Sequence, residues 1–313
     1  MNWKAKAVFG QVLSALPGRA TLYYLAQRFV TRSLPLPDPD FRIRVEAACW
    51  HLANYQRHGR RPLAEATFFE FGAGWDLAVP LMLAWAGVRH QVVVDRDRLA
   101  RVELLNSSLG RLRALAAADT RLAGCAPLPN PAGLPAAGPH TSADLDAWLS
   151  GFRIEYHAPA DARATHLQDA ACDAVTNTAT LEHIPEPVIA EILREMFRIL
   201  RPGGVLSCEI DPSDHFSHSD PSISPWNFLR YSEGAWRWLN SDMLYQNRLR
   251  ASAYVALVQA AGFEIIHVET GFPAGMDIER IATPPVHPTA VRCTDRRDLL
   301  ASSMRLVGRK PGG

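Results

Sequence analysis

The sequence predicts an α/β fold in which a seven-stranded sheet carries helices on both faces and follows a cap of helices. From Ala66 onward, short apolar runs alternate with longer amphipathic ones, a pattern typical of strand–helix–strand units around a parallel sheet. Before Ala66 the apolar residues follow helical spacing instead. A length of 313 residues with 48% hydrophobic residues suits one large domain with additions.

Overall charge, cysteine content and hydropathy exclude several classes of protein. The net charge is +1, from 33 basic and 32 acidic residues, so a nucleic-acid partner is not expected. The 5 cysteines are scattered and form no Cys-x-x-Cys pair, which predicts neither a disulfide framework nor a zinc site and favours a reducing cytoplasm. The uncharged apolar stretch 77–88 is shorter than the roughly 20 residues of a membrane span, so none is predicted.

Residues 1–62 are predicted to form the helical cap. The first helix carries a stripe of apolar residues at Val8, Val12, Leu13 and Leu16. Pro17 ends this helix, and two further helical stretches follow at 22–30 and 41–52. We interpret the stripe as the face by which a capping helix packs on the protein. A peripheral membrane contact and a signal peptide are the two alternatives.

Seven strands are predicted from short apolar runs bounded by turn residues. They lie at 67–71, 91–94, 153–156, 173–176, 205–210, 263–269 and 299–309. The helices between them are predicted at 77–86, 98–122, 144–149, 188–199 and 251–261. Two stretches have no place in this pattern and are predicted to be insertions, at about 106–151 and at 211–250. The first of them includes the proline-rich segment 125–140.

A pair of glycines stands where the first strand turns into its helix. Gly72 and Gly74 carry no Cβ, so a ligand can approach the backbone there. The third glycine of the dinucleotide fingerprint would fall at Leu77, which argues against NAD. Asp95 directly follows the second strand, where a carboxylate can accept hydrogen bonds from both ribose hydroxyls; a helix cap is the alternative. Together these residues indicate an adenosine-containing ligand.

Three later motifs carry a resemblance to a known family. Ala160-Asp161-Ala162 follows the third strand, the fourth strand continues into Leu-Glu-His-Ile at 181–184, and the next helix ends in Arg-Pro-Gly-Gly at 201–204. With the glycine turn and Asp95, these motifs resemble the class I S-adenosylmethionine-dependent methyltransferases, and among them the quinone-biosynthesis methyltransferases, over about 67–210. The resemblance implies a Rossmann-like sheet with its last strand antiparallel, and a domain over 63–313 that binds S-adenosylmethionine.

The resemblance also implies the cofactor-binding residues, one short group after each of four strands. They are Glu70, Gly72, Ala73 and Gly74 beside the methionine part of the cofactor, Asp95 at the ribose, Arg96, Asp161 and Ala162 at the adenine, and Asn177 and Thr178 by the transferable methyl. Trp75 departs from the family, which usually has a small or polar residue there. It either narrows the cofactor pocket or packs under the N-terminal helices.

The predicted catalytic residues, Asp211 and His215, lie in a polar segment just past the fifth strand. Ligands of open α/β sheets bind at that edge, and either side chain can position an acceptor or take its proton. A metal site and a solvated loop are the alternatives for 211–220, and no metal is predicted. His183, after the fourth strand, has either a structural or a catalytic role.

The acceptor is predicted to lie under a lid formed by the second insertion and the helical cap. Aromatic walls with a few polar groups are what a small-molecule pocket requires. The predicted acceptor-binding residues are Tyr23, Tyr24 and Gln27 of the cap and Trp226 and Arg230 of the insertion. Core packing is the alternative for the aromatic residues of the insertion.

The activity that the resemblance implies is methyl transfer to the oxygen or nitrogen of a small or medium-sized acceptor. One alternative is transfer or cyclisation of the aminocarboxypropyl arm of S-adenosylmethionine, which releases methylthioadenosine. A second is a non-catalytic cofactor-binding scaffold. The expected partner is a small molecule, the expected location is the cytoplasm, and no oligomeric state is predicted.

Overall fold

The computed structural model describes residues 2–118, 138–273, 276–290, 293 and 295–312. Its seven strands are β1 (Thr67–Phe71), β2 (His90–Val94), β3 (Ile154–His157), β4 (Cys172–Thr178), β5 (Leu200–Ile210), β6 (Glu264–Gly271) and β7 (Ser303–Arg309). They form one sheet in the order β3-β2-β1-β4-β5-β7-β6. Strands β1 to β5 pair in parallel, whereas β7 pairs antiparallel with β5 and β6. The predicted fold class is therefore confirmed.

Helices precede the sheet and connect its strands. They are α1 (Trp3–Ser14), α2 (Arg19–Leu25), α3 (Asp38–His58), α4 (Ala78–Trp85), α5 (Val102–Ala117), α6 (Leu145–Gly151), α7 (Glu186–Ile199), α8 (Glu233–Leu239), α9 (Ala251–Ala260) and α10 (Arg296–Leu300). Helix α2 continues as a π-helical turn, Ala26–Val30, and short 3₁₀ turns lie at Leu63–Glu65, Leu181–His183 and Asn227–Arg230. The end of the helix predicted at 98–122, and most of the proline-rich segment, lie outside the described residues.

Two buried layers of apolar side chains cover the two faces of the sheet. Successive residues of a strand point to opposite faces, so Phe68 and Phe69 belong to different layers. The layer that contains Phe68 packs against α3, α4, α5 and α6. The layer that contains Phe69 packs against α7 and α9. Helices therefore flank both faces, as predicted.

The strand order places the candidate site at one edge of the sheet. Strands β1 and β4 are neighbours although β2 and β3 lie between them in the sequence, so the connections leave β1 and β4 in opposite directions. In open α/β sheets, ligands bind beyond the carboxyl ends of the strands at such a switch point. The glycine turn after β1, Asp95 after β2 and the segment after β4 all leave the sheet at that edge.

The predicted start of the last strand is wrong by four residues. Residues 296–300 form α10, and β7 begins at Ser303. The side chain of Asp295 accepts a hydrogen bond from the Asp298 amide at 2.9 Å and caps this helix. Because such a cap satisfies an amide of the first turn, the apolar pair Leu299 and Leu300 enters the helix rather than the strand.

One cysteine departs from the sequence-based expectation. Cys49, buried on α3, is disulfide-bonded, although the sequence predicts no disulfide. Cys172, Cys208 and Cys293 carry free thiols. A scattered set of cysteines gives no spacing signal for such a bond, which depends on the tertiary fold bringing two side chains together.

The predicted packing face of α1 is also wrong. Val8, Val12 and Leu16 are exposed, whereas Leu13 is buried. The helix packs on the second insertion with its other face: the Trp3 amide donates to Asp220 Oδ2 at 2.9 Å, and Gly10 lies against Leu244. Among the described residues, no helix has the length and apolarity that a bilayer crossing requires.

Candidate cofactor and acceptor site

The two glycines of the turn after β1 have different tasks. Both have φ +75°, a left-handed conformation that L side chains rarely adopt. A Cβ on Gly72 would collide with the side chain of Thr180, whose hydroxyl donates to the Gly72 carbonyl at 3.1 Å. A Cβ on Gly74 would meet no protein atom within 4 Å. Gly72 therefore closes the turn against the segment after β4, and Gly74 keeps open the space where a ligand would lie.

Asp95 lies directly beside this turn. Its Oδ2 accepts a hydrogen bond from the Gly74 amide at 3.1 Å. Burial raises the pKa of Asp95 to about 6, although hydrogen bonds from the backbone amides of Gly74, Asp97 and Arg96 oppose the shift. A buried carboxylate at the end of β2 is thus oriented by the glycine turn. The two ribose hydroxyls of an adenosine are the donors that such a group accepts.

The loop after β3 reaches the same edge. The Ala160 amide donates to the Asp95 carbonyl at 2.9 Å, which brings the adjoining Asp161 and Ala162 near the end of β2. The Asp161 carboxylate itself pairs with Arg163 at 2.7 Å on the surface. The exposed side chain of Arg96 pairs with Asp97 at 3.0 Å. The adenine contacts assigned to Asp161, Ala162 and Arg96 stay predictions.

Glu70 is a buried carboxyl group in β1. Its side chain accepts from Thr176 Oγ1 at 3.1 Å. Burial raises the pKa of Glu70 to about 7, and the Thr176 hydrogen bond and the charge of Arg44 only partly offset this. In the described part of the chain no ion pair involves Glu70. The ammonium group of S-adenosylmethionine would stabilise the charged form of this carboxyl.

The two predicted residues at the end of β4 point in opposite directions. Asn177 Nδ2 donates to the Phe71 carbonyl at 3.1 Å, and its buried Oδ1 has no partner. The Thr178 hydroxyl instead pairs with His51 Nε2 at 3.0 Å, toward α3. The Thr178 carbonyl accepts from Arg44 at 3.3 Å. The structure therefore favours Asn177 over the Thr178 side chain as a ligand contact, because Asn177 keeps an unpartnered acceptor whereas the Thr178 hydroxyl already has a partner.

These features fit S-adenosylmethionine. The open space at Gly74 suits a ligand that approaches the backbone, Asp95 suits a ribose and Glu70 suits an ammonium. The unpartnered Asn177 Oδ1 is a buried acceptor of the kind that a ligand N–H satisfies. Leu77, in place of the third glycine, begins α4 with φ +50° and a buried side chain, so the turn lacks the close pyrophosphate approach of a dinucleotide site.

A second cluster of polar side chains lies past β4 and β5. Glu182, His183 and His215 each offer one ligand-type atom, and these atoms lie within 4.8 Å of one another. Asp211 Oδ2 is 3.4 Å from Nε2 of both His215 and His218. The rings of His183 and His218 lie on either side of His215, with centroids at 4.8 and 5.0 Å. The structure thus brings together the two predicted catalytic residues and adds Glu182 to them.

Two atoms in this cluster are buried without a hydrogen-bond partner. One is Glu182 Oε2, while Oε1 of the same carboxyl accepts from the Asp211 amide at 3.3 Å. The other is His215 Nε2, which lies at ion-pair distance from Asp211 but makes no aligned hydrogen bond. A buried polar atom left unpaired costs about 1 to 3 kcal/mol, so each of these two atoms is available to a ligand or to an ordered water.

The charges of the cluster act on one another. Burial raises the pKa of Glu182 to about 7, against the opposing charge of His215. Burial would also raise the pKa of Asp211, but His215, Ser213 and His218 together hold it well below its usual range. For His215, burial lowers the pKa, and the neighbouring Asp211 together with the charge of Glu182 outweighs this and raises it. His215 is therefore a stronger base than an ordinary histidine.

His183 is held as a neutral ring. Its Nδ1 lies 2.7 Å from the Tyr245 carbonyl, which accepts only if that nitrogen carries the proton. The residue is partly open to solvent, yet the surrounding segments desolvate its ring and lower the pKa of His183, and the charge of His215 acts in the same direction. The Nε2 of His183 consequently keeps a free lone pair. Whether this nitrogen takes part in the chemistry or only packs against His215 stays open between the two predicted roles.

Three residues of this region escape sequence reasoning. Asn247 fixes the turn after β4, because its Nδ2 donates to the carbonyls of Leu181 and Ile184, each at 2.9 Å. Arg44 of α3 influences both the cofactor residues and the histidine cluster, since its charge lowers the pKa of both Glu70 and His183. Glu182 lies in the Leu-Glu-His-Ile motif at 181–184, but nothing in the motif indicates that its carboxyl is buried. The roles of all three residues depend on contacts between segments that are distant in the sequence.

The predicted acceptor residues fall into two groups. Tyr24 and Tyr23 of α2 lie against Trp75, with ring centroids at 5.7 and 6.5 Å, so Trp75 packs under the N-terminal helices. The nearby Gln27 has a buried Oε1 without a partner. Tyr23, Tyr24 and Gln27 stay candidates for acceptor contact, because they belong to α2 and its π-helical turn, which pack beside the cofactor turn.

Trp226 and Arg230 do not join the site. Trp226 is buried among Trp3, Phe216 and Trp236, and its Nε1 donates to the Leu300 carbonyl at 3.2 Å. Arg230 is exposed and its guanidinium lies over the Tyr231 ring. The second insertion folds its aromatic residues into a core shared with α1, which corrects the expectation that these two residues contact the acceptor.

Comparison with known proteins agrees with this description. The family model described as "Methyltransferase domain" matches residues 141–208. A methyltransferase from Methanosarcina mazei is 14% identical over 83% of this chain and 98% of that chain, with a TM-score of 0.45. One from Mesorhizobium loti is 14% identical over 84% and 98%, with a TM-score of 0.44. A curated relative with a significant match is not found.

The matched domain and the strand order agree with each other. Residues 141–208 match a methyltransferase domain, and the geometry of the site fits S-adenosylmethionine as the cofactor. At such TM-scores the solved structures add nothing to this assignment. The quinone-biosynthesis subgroup stays a prediction.

The different tasks of the glycines can be tested with a matched pair of substitutions. Gly74→Ala and Gly87→Ala both place a Cβ on a residue with positive φ, at +75° and +97°, and in both cases no protein atom lies within 4 Å. Each change therefore destabilises the fold by a similar amount, about 1 to 2 kcal/mol. We expect only Gly74→Ala to weaken binding of S-adenosylmethionine in calorimetry, by roughly tenfold or more. Equal affinities for the two variants would show that the turn does not hold the cofactor.

Proposed function

We propose that the protein transfers the methyl group of S-adenosylmethionine to an oxygen or nitrogen of a small or medium-sized acceptor, with His215 taking the acceptor's proton. The observation that carries this proposal is the buried Nε2 of His215, which makes no aligned hydrogen bond, in a residue that lies beside the carboxyl groups of Asp211 and Glu182. A hydroxyl or amine must lose a proton when it is methylated, so such an acceptor needs a base.

The residues of the cofactor half of the site orient the cofactor for methyl transfer. When bound, the cofactor supplies a methyl group on a positively charged sulfur, which is already activated for transfer. Asp95 would hold the ribose of the cofactor, and Glu70 would hold its ammonium group. The glycine turn would let the cofactor approach the backbone closely. Fixing the reacting groups in line supplies much of the rate enhancement, because a reaction between two molecules becomes one within a single complex.

The side chains of the acceptor half of the site take up the proton that the acceptor loses. As the acceptor's oxygen or nitrogen bonds to the methyl carbon, the proton of that atom passes to His215 Nε2. Asp211, held ionised by its neighbours, and Glu182 then stabilise the imidazolium. His183 and His218 confine the ring of His215 from two sides. No further group is needed to balance the step, since the electron pair of the broken bond leaves with the sulfur.

A metal-assisted version of the same transfer is the second candidate. Carboxylate oxygens and imidazole nitrogens are ligands of divalent cations such as Zn²⁺, and Glu182, His183 and His215 bring three of them within 4.8 Å. A cation there would lower the pKa of a bound acceptor hydroxyl instead of leaving its proton to His215. Sequence reasoning predicts no metal, and removal of metal ions separates the two versions.

The product released identifies the reaction. We expect S-adenosylhomocysteine, together with an acceptor that gains a deuterated methyl group, when a cofactor deuterated in its methyl is incubated with a panel of alcohols, phenols and amines. Mass spectrometry reads both products. Release of methylthioadenosine would instead show transfer or cyclisation of the aminocarboxypropyl arm. Tight cofactor binding with no product across the panel would support the non-catalytic scaffold.

A further inference from the structure

Apolar side chains are concentrated on the outer side of the first two helices. Of the 12 large hydrophobic residues that are exposed in the described residues, 8 lie between positions 8 and 30. This N-terminal apolar face consists of Val8, Phe9, Val12, Leu16, Leu22, Leu25, Phe29 and Val30. Phe29 is 68% and Val30 76% exposed. Large contiguous apolar surface is rare on monomeric proteins and usually marks a binding surface.

The exposed residues follow helical spacing on both elements. On α1, Val8, Val12 and Leu16 repeat every four positions, opposite the buried Ala7 and Leu13. On α2 and the π-helical turn, Leu22, Leu25 and Phe29 repeat at three and four positions, opposite the buried Tyr24. The two helices are joined by a short turn and pack against each other. Each is therefore apolar on two faces, and the described part of the chain covers only the inner one.

The segment that carries this face has basic residues and no acidic ones. Residues 2–37 contain 5 of the 33 basic residues, Lys4, Lys6, Arg19, Arg28 and Arg32, and none of the 32 acidic ones. Lys4 and Arg32 are exposed. Lys6 and Arg28 are partly buried, and Lys6 donates to Ser219, so Lys4 and Arg32 are exposed positive charges on the segment that carries the apolar face. Apolar side chains flanked by lysine and arginine are typical of helices that lie in the surface of an anionic membrane.

We propose that the N-terminal apolar face binds the surface of an anionic lipid membrane, with α1 and α2 lying in the plane of that surface. Helix α1 has 12 residues, so it is about 18 Å long and too short to cross the roughly 30 Å of a bilayer core. A second copy of the chain fits less well, because a symmetric dimer through this face would bring two sets of like charges together.

Binding in this orientation brings the active site near the lipid. The inner side of α2 contacts Trp75, the residue that follows Gly74 of the cofactor turn. A membrane on the outer side of α2 would lie about one helix diameter, roughly 10 Å, from that turn. The inference does not depend on the proposed acceptor chemistry, and it can fail while methyl transfer holds.

Vesicle binding tests the inference directly. We expect the full-length protein to sediment with vesicles of phosphatidylcholine mixed with phosphatidylglycerol, and to bind pure phosphatidylcholine vesicles at least tenfold more weakly. Raised salt should weaken the first interaction, because it screens exposed charges. Equal binding to both kinds of vesicle, or no binding to either, would contradict the proposal.

Paired substitutions locate the surface. Phe29→Ser with Val30→Ser, and separately Val8→Ser with Val12→Ser, remove exposed apolar groups from each helix and should each weaken vesicle binding at least tenfold. Arg32→Gln should weaken it about fivefold, the equivalent of about 1 kcal/mol for one basic residue near the surface. Val268→Ser with Met276→Ser removes two exposed apolar residues elsewhere and should have no effect. Thermal unfolding confirms that each variant is folded.

The competing occupant gives a different result. If light scattering shows a dimer that Phe29→Ser with Val30→Ser converts to a monomer, and vesicles do not bind, the face joins two copies of the chain and the membrane proposal is wrong. If the Val268→Ser with Met276→Ser control loses vesicle binding to the same extent as the N-terminal variants, the attraction is not specific to this face. Either outcome leaves methyl transfer, measured with a soluble acceptor, as a separate question.

Discussion

His215→Ala is expected to lower turnover by roughly 100-fold or more while leaving affinity for S-adenosylmethionine almost unchanged. General-base catalysis typically contributes about 10²- to 10⁴-fold, and His215 acts on the acceptor rather than on the adenosine. The unpartnered Nε2 and the nearby carboxyl groups of Asp211 and Glu182 are the reason for this expectation. Turnover with the true acceptor and calorimetry with the cofactor measure the two quantities separately.

His218→Ala is the matched control for this variant. His218 Nε2 lies at the same 3.4 Å from Asp211 as His215 Nε2, but its side chain is 55% exposed, against 23% for His215. Loss of His218 should change turnover only a few-fold. Full activity of His215→Ala would remove His215 from the catalytic residues. If a chelator abolishes wild-type activity and Zn²⁺ restores it, the cluster holds a metal, and His215 is a ligand rather than the base.

The pH dependence of turnover carries further information on His215. A histidine accepts a proton only when it is neutral, so turnover should rise with pH through the raised pKa of His215. Asp211→Asn removes the main group that raises this pKa and should shift the rise to lower pH. Glu182→Gln should shift it in the same direction. A profile that neither substitution moves would show that the group titrating in the profile is not His215.

Asp95→Ala is expected to weaken binding of S-adenosylmethionine by roughly 5- to 150-fold, the equivalent of about 1 to 3 kcal/mol for a lost charged hydrogen-bond partner. The carboxylate is oriented by the Gly74 amide at 3.1 Å, at the end of β2 where a ribose would lie. Because the folded-state pKa of Asp95 is raised, to about 6, the ionised group destabilises the fold above its unfolded pKa. Its removal should therefore cost no more stability than the lost hydrogen bond.

Asp97→Ala controls for the change of charge in the same loop. Asp97 is more exposed and pairs with Arg96 on the surface, so its loss should leave cofactor affinity within about a factor of two. Calorimetry gives the affinities, and thermal unfolding verifies the fold of both variants. Equal affinities for wild type and Asp95→Ala would contradict the assignment of Asp95 to the ribose.

The sheet and the cofactor edge could be predicted because they depend on local patterns. Strand β1 is found at the predicted residues, and β2 begins one residue earlier than predicted. Since parallel strands end at a common edge, sequence order alone placed Gly74 and Asp95 together. The spacing of strands and turns contains this information without any knowledge of tertiary contacts.

Packing against other segments could not be predicted from the same patterns. The stripe at Val8, Val12 and Leu16 identifies a helix but not which of its two apolar faces the protein covers. Trp226 is an aromatic residue of the kind that commonly lines small-molecule pockets. It is nevertheless buried beside Trp3, more than two hundred positions away in the sequence. The burial of Glu182 depends likewise on contacts between the turn after β4 and the segment after β5.

The most direct test of the assignment is a calorimetric titration of the wild-type protein with S-adenosylmethionine and, separately, with NAD. The open space at Gly74, the carboxylates of Asp95 and Glu70 and the absence of a third glycine at Leu77 predict one S-adenosylmethionine per chain and no binding of NAD. Binding of NAD with comparable affinity, or no binding of S-adenosylmethionine by a folded protein, would contradict the account.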